Sequence, residues 1–373
     1  MGAFTQQRLL IGYLPRNNRN WQESCAHGRH YDSMKAFTFL SAGLGLALAA
    51  ASLATIPASA ASDRADSITD PVTVSVAIGT LDTPGKSGHS GIIRVRIGEA
   101  APVRLMVDTG IVGVLLWGKA PKGAQISNTE FEARVQGNKL KGLIGNAPMT
   151  VGGVTTTRDV PFALIQTDSK YIDRWKRRGS AGIIGLSVGS GNLTNPLMSM
   201  PGELARGWSL HFERKNPTGP STFGALVMGA TAPTDALMHF TLPSDGVDRF
   251  GSKVWDDAAA DGCWAFDEGD EYCVPTWFDS GFTLMRIKGR AFADLPVTPA
   301  KRLRRGTLVE LAAGSSAFFG YRFLAGTEGS RNLVRVLPVG DSVINTGNGV
   351  YFDYTVTYRV DTGDLYLTKE GLA

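Results

Sequence analysis

From residue 71 to the C-terminus, short apolar runs alternate with clusters of Gly, Pro, Asn and Asp. The runs read PVTVSVAIG, GIIRVRIG, PVRLMVDTG, NAPMTVGGV, VPFALIQT, GALVMGA and VYFDYTVTYRV. They are rich in Val, Ile, Thr and Phe, and their alternation and bounding turn residues predict strands. Only residues 171–178 and 296–305 carry a helical pattern. The chain therefore reads as all-β. Its 373 residues exceed the roughly 250–300 at which single cores divide, so two lobes are expected. A shift to Thr, Pro, Ser and Gly across 230–246 places the division, with an N-terminal β lobe over 61–238 and a C-terminal β lobe over 239–373.

Residues 1–60 form a leader of different character. From Met34 the chain reads MKAFTFLSAGLGLALAAASLATIPASAA: a lysine, an Ala/Leu/Gly-rich run, then Ala58, Ser59 and Ala60. This is the pattern of a secretory signal peptide cleaved after Ala60. The run is nearly long enough to span a bilayer, but its Ala/Gly content, Pro57 and the cleavage site favour a removed signal over a stable membrane anchor. Residues 1–33 are polar and show no targeting pattern, which fits a true start at Met34. Export is the expectation, to a periplasm or outside the cell. The whole chain carries net charge +4, yet the leader holds five basic and two acidic side chains, leaving 33 basic against 32 acidic. No Lys/Arg-rich run remains in the rest, so a nucleic-acid partner has no electrostatic footprint to use. Cys25 leaves with the leader. Cys263 and Cys273 are then an even pair in an exported chain, and read as one disulfide closing a short loop.

Three Asp-Thr/Ser-Gly triplets recur: Asp108-Thr109-Gly110, Asp279-Ser280-Gly281 and Asp361-Thr362-Gly363. Any one alone could be a hairpin turn, because Asp and Gly favour turns. The first two each follow an apolar strand end, Leu105-Met106-Val107 or Trp277-Phe278, and precede another apolar run. An acidic residue in such a place is costly unless it is hydrogen-bonded or used. The third, in YRVDTGDLYLT, reads as a solvated turn. Two buried carboxylates from separate halves of a two-lobed chain suggest a pair meeting at the lobe interface. Close together they cannot both ionise cheaply, so they share a proton. One can then act as base on a water while the protonated partner donates to a carbonyl oxygen. Hydrolysis of a peptide bond by activated water fits, and it needs neither metal nor covalent intermediate.

At these residues the sequence resembles the pepsin-like aspartic proteases, over about residues 71–368. The resemblance implies a bilobal all-β fold with the active-site cleft between the lobes, in an exported, bacterial member of that family. VRLMVDTGIVGVLLW resembles the family's first active-site strand and loop. AGIIGLS, residues 181–187, resembles the strand that threads behind that loop, with Gly185 at the close-approach position. FGALVMGA, residues 223–230, resembles the strand pair ending the first lobe, and a cysteine pair ahead of the second aspartate also occurs in the family. The C-terminal VYFDYTVTYRVDTGDLYL resembles the closing hairpin, which again makes Asp361 a turn residue. For the matching glycine of the second lobe both Gly340 and Gly347 are candidates, and the spacing to the closing hairpin favours Gly347.

The resemblance assigns catalysis to Asp108 and Asp279, cross-lobe hydrogen bonds to Thr109 and Ser280, and tight backbone turns to Gly110 and Gly281. It places Val135 or Gln136, followed by Gly137, at the flap position where the family carries a tyrosine. Family members usually have a hydroxyl residue directly after each triplet; here those positions are Ile111 and Phe282. With no side-chain donor beside either aspartate, both apparent pKa values of the dyad are expected to rise. About ten residues separate Ala60 from the first strand, too few for a cleft-filling prosegment, so the chain is expected to be active as exported.

The expected protein is thus a monomeric, exported endopeptidase acting on an extended peptide or protein substrate without a cofactor. The changes at the flap and after the triplets support a rival, a catalytically degenerate pepsin-like scaffold that binds or inhibits a partner without cutting. Gly185-Leu186-Ser187-Val188-Gly189 also fits a serine-hydrolase nucleophile elbow. Only Asp235 closely precedes a histidine, His239, and no βα scaffold follows. GTLDTPGKS approximates a phosphate loop but has five residues instead of four between Gly79 and Gly85. His89, His211 and His239 are isolated from one another, which argues against zinc.

Overall fold

The most continuous apolar runs are strands buried on both faces: Val103–Asp108, Val112–Trp117, Val160–Ile165 and Gly182–Leu186. Their alternate side chains enter two separate cores. Leu105, Val107, Val114, Leu116, Ile184 and Leu186 enter one, and Met106, Leu115, Trp117 and Ile183 the other. A strand between two cores has no solvent face, which is why these runs lack polar alternation. The structure is a computed structural model that describes residues 69–80, 89–213, 223–267, 269–314, 318–327 and 332–369. The leader, with its signal-peptide pattern, and Gly85 of the phosphate-loop-like segment lie outside those residues.

Among the described residues the strands form a 15-stranded sheet, a 7-stranded sheet and a 2-stranded ribbon. In the largest sheet, Gly182–Leu186 runs parallel to Val103–Asp108 and antiparallel to Val112–Trp117, so one strand threads between the two arms of a loop. The 7-stranded sheet repeats this: Val343–Asn345 runs parallel to Glu271–Trp277 and antiparallel to Met285–Lys288. The registers correspond. Gly185 pairs with Asp108, and extending the Trp277–Asn345 pairing along both chains sets Gly347 opposite Asp279.

The closing hairpin returns to the largest sheet, where Tyr354–Arg359 pairs with both Gly207–Phe212 and Asp364–Lys369. Gly363, at φ +78°, makes its turn, and Arg359 clamps Asp361 through Nε and Nη2 at 3.0 and 2.6 Å. The third triplet is a turn, as its context indicates.

The helix Lys170–Arg177 (α1) starts where Ser169 Oγ accepts from Ile172 N at 3.2 Å, and stops before Gly179 at φ +72°. It buries Tyr171, Ile172 and Trp175 against the second core. The other helical expectation is overturned. Residues 296–305 form a tight turn, closed by Lys301 N to Thr298 O at 2.9 Å and Thr298 N to Arg302 O at 2.8 Å. Pro296 and Pro299 have no amide to donate, and Lys301 adopts φ +58°, so a helical ladder cannot run through the segment. Cys263 and Cys273 lie directly opposite on Ala260–Phe266 and Glu271–Trp277 and are disulfide-bonded. Among the described residues no helix is long and apolar enough to cross a membrane.

Candidate active site

Each of the first two triplets follows a strand of a different sheet, and the same local bond shapes both. Gly110 N donates to Asp108 Oδ1 at 2.9 Å, and Gly281 N donates to Asp279 Oδ1 at 3.0 Å. Both aspartates are buried. The glycines set the distance between them. A Cβ on Gly110 would lie 2.7 Å from Asp279 Cγ, and one on Gly281 would overlap the Asp108 carboxyl group. Any other residue at either position would drive the loops apart. With glycine at both, each carboxyl packs directly against the glycine of the other triplet.

Thr109 and Ser280 interlock the loops. Thr109 N donates to Ser280 Oγ at 3.0 Å, and Ser280 N donates to Thr109 Oγ1 at 2.8 Å. Thr109 Oγ1 in turn donates to Phe278 O at 2.7 Å. Two residues not singled out from the sequence converge on the same carbonyl: the Tyr351 and Tyr358 hydroxyls reach it at 2.9 and 3.2 Å. Burial pushes both phenols up, so they stay neutral donors behind the dyad.

The threading glycines complete the frame. A Cβ on Gly185 would strike the carbonyls of Ile111 and Gly113, while one on Gly347, at φ +61°, would sit 2.6 Å from the Leu284 carbonyl. Gly340 lies elsewhere, in a turn beside the Lys288 side chain. Gly347 is therefore the glycine behind the second loop.

The dyad is electrostatically uneven. Burial, and then the charge of Asp279, push the Asp108 carboxyl well above the usual range. Burial raises Asp279 too, but donors from Asn345, Gly281 and Phe282 oppose it. Asn345 Nδ2 donates to Asp279 Oδ2 at 2.6 Å while its own Oδ1 accepts from Gly347 N at 2.8 Å. The expectation that neither aspartate has a side-chain donor fails at Asp279. The donor comes from the threading strand instead of the residue after the triplet. Counting back from the matched glycines, Asn345 occupies the place that apolar Ile183 takes in the first loop. The Asn345 donor thus favours charge on Asp279 over Asp108.

A long hairpin, Gln125–Val135 with Asn138–Ala147, carries the flap-like residues. Gln136 at φ +49° and Gly137 at φ +82° make its two-residue turn, which requires two left-handed residues. Gln136 Nε2 donates to Gly281 O at 3.2 Å, so the hairpin tip reaches the second triplet. Val135 is buried in the second core with Tyr171 and Trp175.

Ser187 has a different setting. It is buried and accepts from Gly189 N at 3.0 Å, beside the Asp257 carboxyl, whose Oδ2 accepts from Val188 N at 3.0 Å. Burial pushes Asp257 up to about 7. His239 Nε2 lies 2.8 Å from Asp364 Oδ1 and its ring stacks on Tyr366, away from Ser187. His211 lies against Tyr354 O. Neither can serve Ser187 as a base. Among the described residues Cys263, Glu271 and Cys273 are near enough to share a metal, but both sulfurs are taken by the disulfide.

No protein-family model matches the chain, and no curated protein does. Among solved structures, it is similar to an aspartic proteinase from Irpex lacteus with a TM-score of 0.53 at 16% sequence identity, over 80% of this chain and 97% of that one. What the two share at that identity is the fold: this chain is an all-β, bilobal protein of aspartic-proteinase architecture.

Proposed function

We propose that the chain is an aspartic endopeptidase with Asp108 and Asp279 as its catalytic pair. One observation carries this reading: two buried carboxyls from separate sheets meet on matched glycine turns, and Asn345 donates to one of them, Asp279. In the proposed reaction Asp279, the more readily ionised partner, takes a proton from a water held between the carboxyls. Asp108 gives its proton to the carbonyl oxygen of the scissile bond as the water oxygen bonds to its carbon. The resulting diol collapses, the C–N bond breaks, and the nitrogen takes up the proton from Asp279 while Asp108 regains one from the diol. The interlocked hydroxyls of Thr109 and Ser280 hold the pair at fixed separation, which reduces reorganisation during the reaction. The substrate is an extended peptide or protein segment passing beneath the hairpin tip at Gln136.

In the same reading the lobes span 61–238 and 239–373, and the protein is exported and monomeric; the disulfide fits an oxidising compartment. The rival of a binding scaffold without activity draws on Ile111 and Phe282, which supply no hydroxyl to either aspartate. Digestion of a mixed peptide library by the purified chain, read by mass spectrometry of new termini, separates the two. Cleavage at internal bonds is the expected result, and an intact library would reject the endopeptidase reading.

A further inference from the structure

A polar row crosses the 7-stranded sheet and begins at the dyad. Asn345, which bonds Asp279, pairs with Arg286; Arg286 pairs with Arg335; Arg335 pairs with Arg302. Register partners project from the same face of a sheet. The neighbours Met285, Ile287, Val334, Val336 and Leu303 enter the core on the other face. Like charges directly opposite on adjacent strands are destabilising, so three arginines in a row work against the fold unless something pairs with them. Among the described residues no carboxylate forms an ion pair with any of the three.

Arg286 is the member closest to the chemistry. Its guanidinium carbon lies 4.3 Å from the ring centroid of Phe282, the residue directly after the second triplet. Its Nε is buried and has no hydrogen-bond partner. Burial, then the Arg335 charge, push its pKa down, and Asp279 opposes them. Arg335 and Arg302 are exposed and continue the positive charge outward. The Gln136 tip touches Gly281 O, next to Phe282, so a chain passing beneath that tip runs alongside the row.

We propose that Arg286, extended by Arg335 and Arg302, is a subsite for an acidic substrate side chain, selecting peptides with Glu or Asp near the bond to be cut. The carboxylate pairs with the half-buried Arg286 guanidinium, and the outer arginines draw acidic segments toward the dyad. The proposal rests on the endopeptidase reading for the orientation of the peptide.

The test uses fluorescent octapeptides with a hydroxyethylene unit in place of the scissile amide, in pairs that differ only by Glu or Gln at one position. Their binding to the full chain is followed by anisotropy near pH 6. At one position the Glu peptide binds about tenfold tighter, as a charge-assisted pair allows. Arg286→Gln removes that preference, Arg286→Lys keeps part of it, and Arg335→Gln, at an exposed site that does not endanger folding, reduces it. Equal affinity for Glu and Gln at every position, no binding of any peptide, or a preference untouched by both Arg286→Gln and Arg335→Gln would overturn the subsite. Amide counterparts separate the two levels. Glu-dependent binding without cleavage leaves the subsite standing and removes the endopeptidase reading, and cleavage indifferent to Glu does the reverse.

Discussion

Asn345 Nδ2 sits 2.6 Å from Asp279 Oδ2, whereas among the described residues the Asp108 carboxyl receives the Gly110 amide and no side-chain donor of this kind. A hydrogen bond to the charged form of a carboxylate lowers its pKa, so Asn345 favours charge on Asp279. Replacing it by Leu keeps the size and removes the donor. The lower apparent pKa of the coupled pair should then rise. In kcat/KM against pH, the acid limb of Asn345→Leu moves to higher pH, and adding Phe282→Ser moves it part of the way back. An acid limb that stays in place would show that backbone amides alone set the charge on Asp279.

The Thr109–Ser280 interlock makes a separate prediction about stability. Thr109→Val leaves the buried Ser280 amide without an acceptor, and Ser280→Ala does the same to the Thr109 amide. Each should cost about 1–3 kcal/mol, the usual penalty of an unsatisfied buried group. Because both belong to one interlock, the double variant should lose less than the sum of the two. Urea denaturation of the four proteins measures this, and strictly additive losses would show that the hydroxyls act independently.

Asp257 predicts how stability depends on pH. Its folded pKa of about 7 lies above the ordinary carboxylate value, so between the two the folded state binds more protons than the unfolded one. Stability then falls as pH rises through that window. Asp108 and Asp279, both raised, act in the same direction. Asp257→Asn keeps an acceptor for Val188 N and removes the titration. It should match the parent near pH 4 and exceed it by roughly 2–4 kcal/mol near pH 8. Denaturation midpoints at the two pH values test this. A parent whose stability rises across that range, or a variant no more stable near pH 8, would contradict it.

The strands and the two triplets were legible because they are written locally. A strand buried on both faces shows as an unbroken apolar run, and an aspartate followed by Thr/Ser-Gly interrupts such a run in only two places where a plain turn does not account for it. Asn345 was not legible: in INTG it looks like turn chemistry, and only the threading register aims it at Asp279. Tyr351 and Tyr358 read as strand aromatics, since their hydroxyls meet Phe278 O only through long-range pairing. Asp257 hides as one of two adjacent aspartates in a polar stretch, although burial makes it unlike its neighbour. The apolar residues around 296–305 have helical spacing, but Pro296 and Pro299 prevail over it.

The central claim is that Asp108 and Asp279 act as one hydrolytic unit. Cleavage rates of a peptide substrate by Asp108→Asn, Asp279→Asn, the double variant and Asp361→Asn test it most directly. Each single change in the dyad should lower kcat by about a thousandfold or more, with the double variant no worse than the worse single, because residues that act as a unit are not additive. Asp361→Asn, in the hairpin turn, should leave the rate unchanged. Retained cleavage in either single dyad variant, or loss of cleavage in Asp361→Asn, would contradict the account.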